Sequence, residues 1–118
     1  MFDFEKLTVY LKAKSYNLEF SKLLKQFAFD SAIKNQLRRS SLSIALNIAE
    51  GSGRKTNADK RNFFIIARGS VFECVAIFDI LKDEGIISKE IFQKLYCQLE
   101  ELSKMLYAMT ESLIVKKS

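Results

Sequence analysis

The clearest helical signal in the chain lies in residues 88–113, SKEIFQKLYCQLEELSKMLYAMTESL. Apolar side chains recur there at alternating steps of four and three residues: Leu95, Leu99, Leu102, Leu106, Met109 and Leu113. This spacing places them along one side of an α-helix, as in the heptad seam of packed helices. Ser88 is a typical N-cap for such a helix. The pattern predicts a helix over residues 89–115 whose apolar seam requires partner helices.

Composition favours helices in the rest of the chain as well. The 118 residues include no proline, no tryptophan and only four glycines, so the residues that usually interrupt helices and shape sheets are scarce. Similar periodicities predict three further helices, over residues 5–27, 31–50 and 57–84. Four helices of similar length with short connections favour a single all-α domain over residues 1–118, an up-and-down antiparallel four-helix bundle.

Capping residues and apolar stripes define the first three helices. Asp30 and Thr56 are expected N-caps, and Gly51 is expected to end helix two in a left-handed C-cap conformation. The stripe expected to face the core in helix two is Ile33, Leu37, Ile44 and Ile48. The corresponding set in helix one is Phe4, Leu7, Leu11, Tyr16, Leu18, Phe20, Leu23 and Phe27.

Helix three carries apolar residues on two faces. The first face consists of Phe63, Ile66, Ser70, Cys74, Ile77 and Leu81. The second consists of Phe64, Val71, Phe72, Val75 and Phe78. One face can serve the bundle core, whereas the other would form a larger apolar patch than monomers usually expose. The second face is therefore predicted to be an interface between copies of the chain in a closed homo-oligomer.

Positive charge is concentrated in the middle of the chain. Between Lys34 and Arg68 the excess of basic over acidic residues is larger than the net charge of the whole chain, +5, and every arginine lies there. Arginine binds phosphate through two parallel hydrogen bonds, so this concentration favours an anionic partner. A solvated charged turn remains the alternative. The residues predicted to contact nucleic acid are Arg38, Arg39, Arg54, Lys55, Lys60, Arg61 and Arg68.

A polar stripe follows one face of helix two: Gln36, Arg39, Ser43, Asn47 and Glu50. Ser70 and Glu73 of helix three could meet it. The chain contains no histidine that could act as a base, so a hydrogen-bonded network, within or between subunits, is favoured over a catalytic cluster. No cofactor or metal site is expected, and Cys74 and Cys97 are interpreted as reduced core thiols. Without a transmembrane stretch or signal peptide, a cytoplasmic location is expected.

Several of these residues also form a recognisable signature: Gln36-Leu-Arg-Arg39, Ser43-Ile44, Asn47-Ile-Ala-Glu-Gly51, Gly53-Arg54 and Ala67-Arg-Gly-Ser70 with Glu73. With it, the chain resembles the bacterial four helix bundle protein family, also called the 23S ribosomal RNA intervening-sequence protein family. The resemblance implies a cytoplasmic four-helix bundle that forms a homopentamer. It also implies similarity to accessory proteins of diversity-generating retroelements, which bind nucleic acid and a reverse transcriptase.

Two functions follow as expectations. The first is a non-enzymatic, homo-oligomeric accessory protein that binds the RNA or DNA backbone through the basic residues near the end shared by helices two and three. The second is a protein–protein scaffold ring that docks another protein, such as a reverse transcriptase. The motif residues Gln36, Asn47, Glu50, Gly51, Ser70 and Glu73 are expected to be architectural.

Overall fold

The structure, a computed structural model, describes residues 1–27 and 29–114. A short 3₁₀ helix, Asp3–Lys6, precedes the α-helices of this part of the chain, which are α1 Thr8–Gln26, α2 Ser31–Ser52, α3 Asn57–Asp83 and α4 Lys89–Ser112. No strand occurs among the described residues. The prediction of an all-α four-helix bundle is confirmed, while the predicted end of the last helix at residue 115 lies outside the described residues.

Successive helices are antiparallel, and α4 closes the bundle against α1. In an antiparallel pair of helices, later residues of one helix contact earlier residues of the other. The hydrogen bonds between helices show this order. Between α1 and α2, these bonds join Ser21 to Arg38 and Asn17 to Ser41. Between α2 and α3, they join Gln36 to Glu73 and Ser43 to Ser70. Between α1 and α4, they join Tyr16 to Glu101 and Glu19 to Gln98. The bundle measures 51 × 31 × 22 Å, so its side surfaces are much larger than its ends.

Three of the helix starts are capped as the sequence predicts. The side-chain oxygens of Asp30, Thr56 and Ser88 accept hydrogen bonds from the backbone N–H three residues further on, at 2.8, 3.1 and 3.1 Å. Each cap satisfies one of the backbone donors that a helix start leaves without an intrahelical partner. These local signals depend on short sequence spacings, which is why they can be recognised before the fold is known.

The core seam of α4 is also confirmed. Leu95, Leu99, Leu102 and Leu106 are at most 5% exposed, and Met109 and Leu113 pack against the same core.

In contrast, the first helix differs from its prediction. It begins at Thr8 rather than near residue 5, because Leu7 is extended.

The core face of α1 matches the prediction in part: Phe20 is buried, and Leu7, Tyr16, Leu23 and Phe27 pack against the core. Leu11 and Leu18 are 45% and 56% exposed, whereas Val9, Ala13 and Leu24 are buried. At 100° per residue the two leucines lie on the side of α1 opposite these buried residues. The small side chains of Val9 and Ala13 were not part of the predicted stripe, yet they allow α1 to pack closely on the bundle.

The two predicted faces of α3 are not separate surfaces, because residues of both are buried in the core. Phe64, Val71 and Phe78, assigned to a subunit interface, are at most 4% exposed within the single chain. The prediction that these three side chains meet another subunit is therefore wrong. The reason is that α3 packs against both α2 and α4, which buries a wider arc than one neighbour would. Of the predicted interface, Phe72 is 55% exposed and Val75 is half-buried.

The edge between α1 and α4 is held by polar contacts. The carboxylate of Glu101 accepts from Lys12 Nζ and from the Tyr16 hydroxyl, both at 2.9 Å. Glu19 accepts from Gln98 at 2.7 Å. The hydrogen bond from Lys12, followed by that from Tyr16, holds the pKa of Glu101 below its ordinary value. This interaction therefore stabilises the fold at pH values above the ordinary glutamate pKa. The stabilisation is lost as the pH falls through the lowered pKa of Glu101.

Gly51 has a different role from the predicted left-handed cap. It lies inside α2 and is buried, and α2 continues to Ser52. A Cβ atom built on Gly51 would come within 2.9 Å of both Phe63 Cβ and Phe64 Cε1. Glycine is thus required for the close approach of α3. The left-handed conformation belongs to Gly85, with φ 75°, at the end of α3.

We predict that Gly51→Ala lowers the free energy of unfolding by about 1–3 kcal/mol, because the added methyl group overpacks the α2–α3 contact. Gly69→Ala is the matched control, since a Cβ there has no atom within 4 Å. It should leave stability unchanged or raise it by about 0.5–1 kcal/mol, the usual gain for this change inside a helix. Urea unfolding measures both variants. Equal effects of the two substitutions would contradict this account.

The two cysteines lie in different environments. Cys74 is fully buried, and burial raises the pKa of its thiol to about 12. Cys97 is exposed, so its prediction as a core thiol is wrong. It is two residues from Leu95 and therefore lies on the solvent side of α4, away from the leucine seam.

These environments predict one fast-reacting thiol in the folded chain at pH 8. Cys97 should react with a chromogenic disulfide reagent within minutes, whereas Cys74 should react only after denaturant is added, because it is both buried and protonated. Cys97→Ser should remove the fast phase and Cys74→Ser should retain it. Two equally fast thiols in the wild-type protein would show that α3 does not bury Cys74.

Candidate nucleic-acid interface

The end of the bundle where α2 passes into α3 holds four of the predicted basic residues. Arg54 Nη2 lies 2.8 Å from Glu50 Oε1, and the Arg54 guanidinium lies over the Phe63 ring with 4.5 Å to its centroid. Lys55, in the same connection, is exposed. Arg54 is therefore held by an ion pair and a ring, whereas Lys55 extends from the loop into solvent.

Lys60 and Arg61 follow in the first two turns of α3. Lys60 is half-buried and lines a cleft with Asp3 and Met109, among others. Arg61 points to the other side of α3, into a cleft shared with Glu111 of α4. Within the described chain no carboxylate oxygen lies within 4.0 Å of either cation. Acidic side chains thus share both clefts without neutralising the two cations in direct ion pairs.

Arg68 lies two turns further along α3 on the same side as Arg61. Its guanidinium carbon is 4.8 Å from the centroid of Phe72 and 5.3 Å from that of Tyr107. Its Nε donates to the backbone oxygen of Ser103 at 3.3 Å. These contacts fix the guanidinium against two aromatic rings in the groove between α3 and α4.

Arg38 and Arg39 lie away from this end. They are about 20 Å from the end of α2, at 1.5 Å per residue of helix. Arg38 donates to Ser21 Oγ at 2.7 Å and to Asn17 Oδ1 at 3.4 Å, and so connects α2 to α1. Arg39 is exposed on α2. The seven predicted residues therefore do not form one patch: four lie at the α2–α3 end, Arg68 lies in the α3–α4 groove, and two lie on α2.

The charge on these side chains is largely available to a partner. Of the seven predicted basic side chains, Arg54 has a carboxylate oxygen within 4.0 Å of its guanidinium in the described part of the chain. The acidic residues near the α2–α3 end are dispersed over four elements: Asp3, Glu5, Glu50, Asp59 and Glu111. An unpaired guanidinium or ammonium can form charge-assisted hydrogen bonds with phosphate without first breaking an internal ion pair.

The polar stripe of α2 meets α3 within a single chain. Ser70 Oγ donates to Ser43 Oγ at 2.7 Å, and Asn47 Nδ2 donates to the same oxygen at 2.9 Å. Gln36 pairs with Glu73 across the two helices. Arg39 and Glu50, the other members of the stripe, make no contact of this kind with α3 in the described structure. The stripe thus acts as a hydrogen-bonded connection that fixes α3 along α2.

A double-mutant cycle measures this connection. Because Ser43 and Ser70 share one hydrogen bond, Ser43→Ala and Ser70→Ala should show a coupling of about 0.5–1.5 kcal/mol in urea unfolding. Ser43→Ala with Ser112→Ala is the control pair. Ser112 bonds to its own helix at Met109 O, so those two effects should add. Additivity in the first pair would contradict a shared hydrogen bond.

The described residues contain no group of three or more histidine, cysteine, aspartate or glutamate side chains that could hold a metal ion. None of the described helices is both long and apolar enough to cross a membrane.

Sequence reasoning did not find the aromatic part of the site. The spacing of Arg68 and Phe72, four residues apart on one helix, is a usable signal for an arginine over a ring. Tyr107 comes from α4, and nothing in the local sequence indicates that it meets Arg68. The groove between α3 and α4 could therefore be recognised only in the tertiary structure.

Comparison with known proteins identifies a sequence family and a solved structure of the same fold. The sequence model of a family described as 23S rRNA-intervening sequence protein matches residues 5–108. A crystal structure of a protein with unknown function from the S23 ribosomal protein family of Bacteroides thetaiotaomicron VPI-5482 has the same fold, with a TM-score of 0.83 and 23% sequence identity. The match covers 87% of this chain and 98% of that one. No curated protein matches the chain.

Proposed function

The chain belongs to the 23S rRNA-intervening sequence protein family, and from this premise we propose that it is a homo-oligomeric, non-enzymatic accessory protein that binds the backbone of RNA or DNA. The observation that carries the proposal is the set of cations without ion pairs at and near the α2–α3 end. Lys55, Lys60, Arg61 and Arg68 have no described carboxylate within 4.0 Å. Phosphates are their natural partners, because each contact releases a counterion and adds affinity at low salt.

The start of α3 adds to this field. Its first turn presents backbone N–H groups and the positive end of the helix dipole beside Lys60 and Arg61. Thr56 satisfies the N–H of Asp59, which leaves the preceding N–H groups at the surface. These groups reinforce the basic side chains but carry no sequence information, so little base specificity is expected from this part of the surface.

Exposed apolar side chains support self-assembly. Leu46 on α2 is 61% exposed, and Ile66 and Ile80 on α3 are 51% and 57% exposed. They lie on the outer side of the α2–α3 pair, next to the polar stripe. A surface of this kind is typical of a contact between subunits. In a closed ring the cations would repeat once per subunit, and repeated weak phosphate contacts add to a useful affinity.

A second candidate function is a scaffold for another protein. A groove of about 580 Å³ between α3 and α4 favours it, since its lining includes Phe72, Val75, Phe92 and Tyr96. An apolar helix of a partner could lie in such a groove. Binding of that kind would persist at high salt, whereas phosphate binding would not.

We predict that the affinity for RNA and duplex DNA falls steeply with salt and depends on the α2–α3 end. The test variant is Arg54→Glu/Lys55→Glu/Lys60→Glu/Arg61→Glu. It should lower the slope of log affinity against log salt by about one for each phosphate that the variant no longer binds. It should also reduce binding at least about tenfold at low salt. Fluorescence anisotropy with labelled oligonucleotides measures both.

The matched control is Lys22→Glu/Lys25→Glu/Lys89→Glu/Lys94→Glu. These exposed lysines lie at the opposite end of the bundle, so the control makes the same change in net charge away from the site. It should retain most of the affinity, and circular dichroism should show equal helicity in both variants. An equal reduction in affinity in the two would mean that net charge alone attracts the nucleic acid. Salt-independent binding would favour the protein scaffold.

A further inference from the structure

We propose that the cleft between Arg61 and Arg68 in the α3–α4 groove binds an unpaired base and its phosphate, so that the protein prefers single-stranded over duplex nucleic acid. This inference rests on the proposed function and adds to it a substrate class. The cleft has a volume of about 340 Å³, within the range of about 300–1,000 Å³ usual for sites that hold small organic groups. Its lining includes Arg61, Arg68, Gly69, Phe72, Tyr107 and Glu111.

The aromatic side of the cleft is already organised for stacking. Arg68 contacts the rings of Phe72 and Tyr107, yet these side chains remain 55% and 51% exposed. Each ring therefore retains surface on which a base can stack. Proteins that bind single strands use such surfaces, because every base has a π-face and unpaired bases can leave the stack.

The middle of the cleft is open because of Gly69. A Cβ atom on this residue would meet no other atom within 4 Å, and the residue lies between Ile65 and Phe72 on the exposed side of α3. A flat group can therefore approach the helix backbone between these two side chains. Glycine at this position adds no steric barrier where the aromatic and cationic groups converge.

Hydrogen-bonding groups at the cleft match a nucleotide better than a free phosphate. Arg61 lines the cleft with no described carboxylate within 4.0 Å of its guanidinium, so it can form charge-assisted hydrogen bonds with a phosphate. Glu111 lies in the same cleft. Its carboxylate would repel an isolated phosphate but can accept from the amino group of a base. A phosphate with an attached base satisfies both.

A duplex cannot supply this combination of groups. Its bases are paired and stacked inside the helix, so only its phosphates would reach the cleft. The four cations at the α2–α3 end accept phosphates from either form. The cleft should therefore add affinity for single strands on top of a backbone contact that both forms share.

The test compares a single-stranded RNA with the duplex of the same sequence, at one salt concentration, for wild type, Tyr107→Leu and Tyr96→Leu. Both substitutions replace an exposed tyrosine of α4 by leucine, but Tyr96 has no arginine over its ring among the described contacts. We expect Tyr107→Leu to weaken single-strand binding about fivefold or more, as for the removal of one stacked base, with duplex binding unchanged. Tyr96→Leu should change neither.

Arg68→Lys is the second variant, because lysine keeps the charge but lacks the planar group that stacks on the rings. It should reduce the single-strand preference and leave the salt slope unchanged. Light scattering of each variant establishes that the oligomeric state is that of wild type.

The outcomes separate this inference from the proposed function. Equal affinity of wild type for single strand and duplex, with a steep salt dependence, would overturn the cleft and leave backbone binding intact. Equal weakening of both nucleic acids by Tyr107→Leu and Arg68→Lys would also overturn it. Absence of binding to either nucleic acid at low salt would overturn the proposed function, and the cleft with it.

Discussion

The close approach of α3 to α2 at Gly51 is the contact on which the other features depend. An additional methyl group there would meet Phe63 and Phe64 at 2.9 Å, and well-packed interiors do not absorb such an overlap without movement. The same approach brings Ser70 within 2.7 Å of Ser43. One residue without a side chain thus allows both the apolar contact and the hydrogen bond that position α3.

The position of α3 in turn decides which charges reach the surface. Because α3 packs between α2 and α4, it buries one wide side of the helix and leaves the opposite side at the surface. Arg61 starts this surface at one end and Arg68 continues it along the groove with α4, whereas Lys60 lines a cleft on the other side of α3. The packing that buries Phe64 and Phe78 therefore also aligns the two arginines, so fold and candidate site are consequences of one arrangement.

Features that depend on short sequence spacings could be predicted from the sequence. The caps at Thr56 and Ser88 and the leucine seam of α4 each depend on residues three or four apart, where the geometry of a helix leaves little freedom. Features that depend on neighbours could not. The width of the buried arc on α3, the solvent-facing position of Leu18, and the role of Gly51 as a close contact all depend on where another helix lies.

The candidate site also contains features that short spacings predict and features that depend on neighbouring helices. Sequence reasoning identified the basic residues and the end shared by α2 and α3, because a short loop must bring Arg54 and Lys60 together. It also grouped Arg38 with them, although Arg38 lies 14 residues before the end of α2 and contacts α1 instead. The stack of Arg68 on Tyr107 joins two helices through residues 39 positions apart in the chain, and no local pattern specifies such a pair.

In the proposed function, the N-terminal half of α3 and the adjoining part of α4 contact nucleic acid. Ultraviolet cross-linking of the wild-type protein to single-stranded RNA, followed by mass spectrometry of the linked peptides, tests it most directly. We expect cross-links in residues 54–72 and around Tyr107, where cations and rings adjoin. Cross-links confined to α1, or to the opposite end of the bundle around residues 82–94, would contradict it.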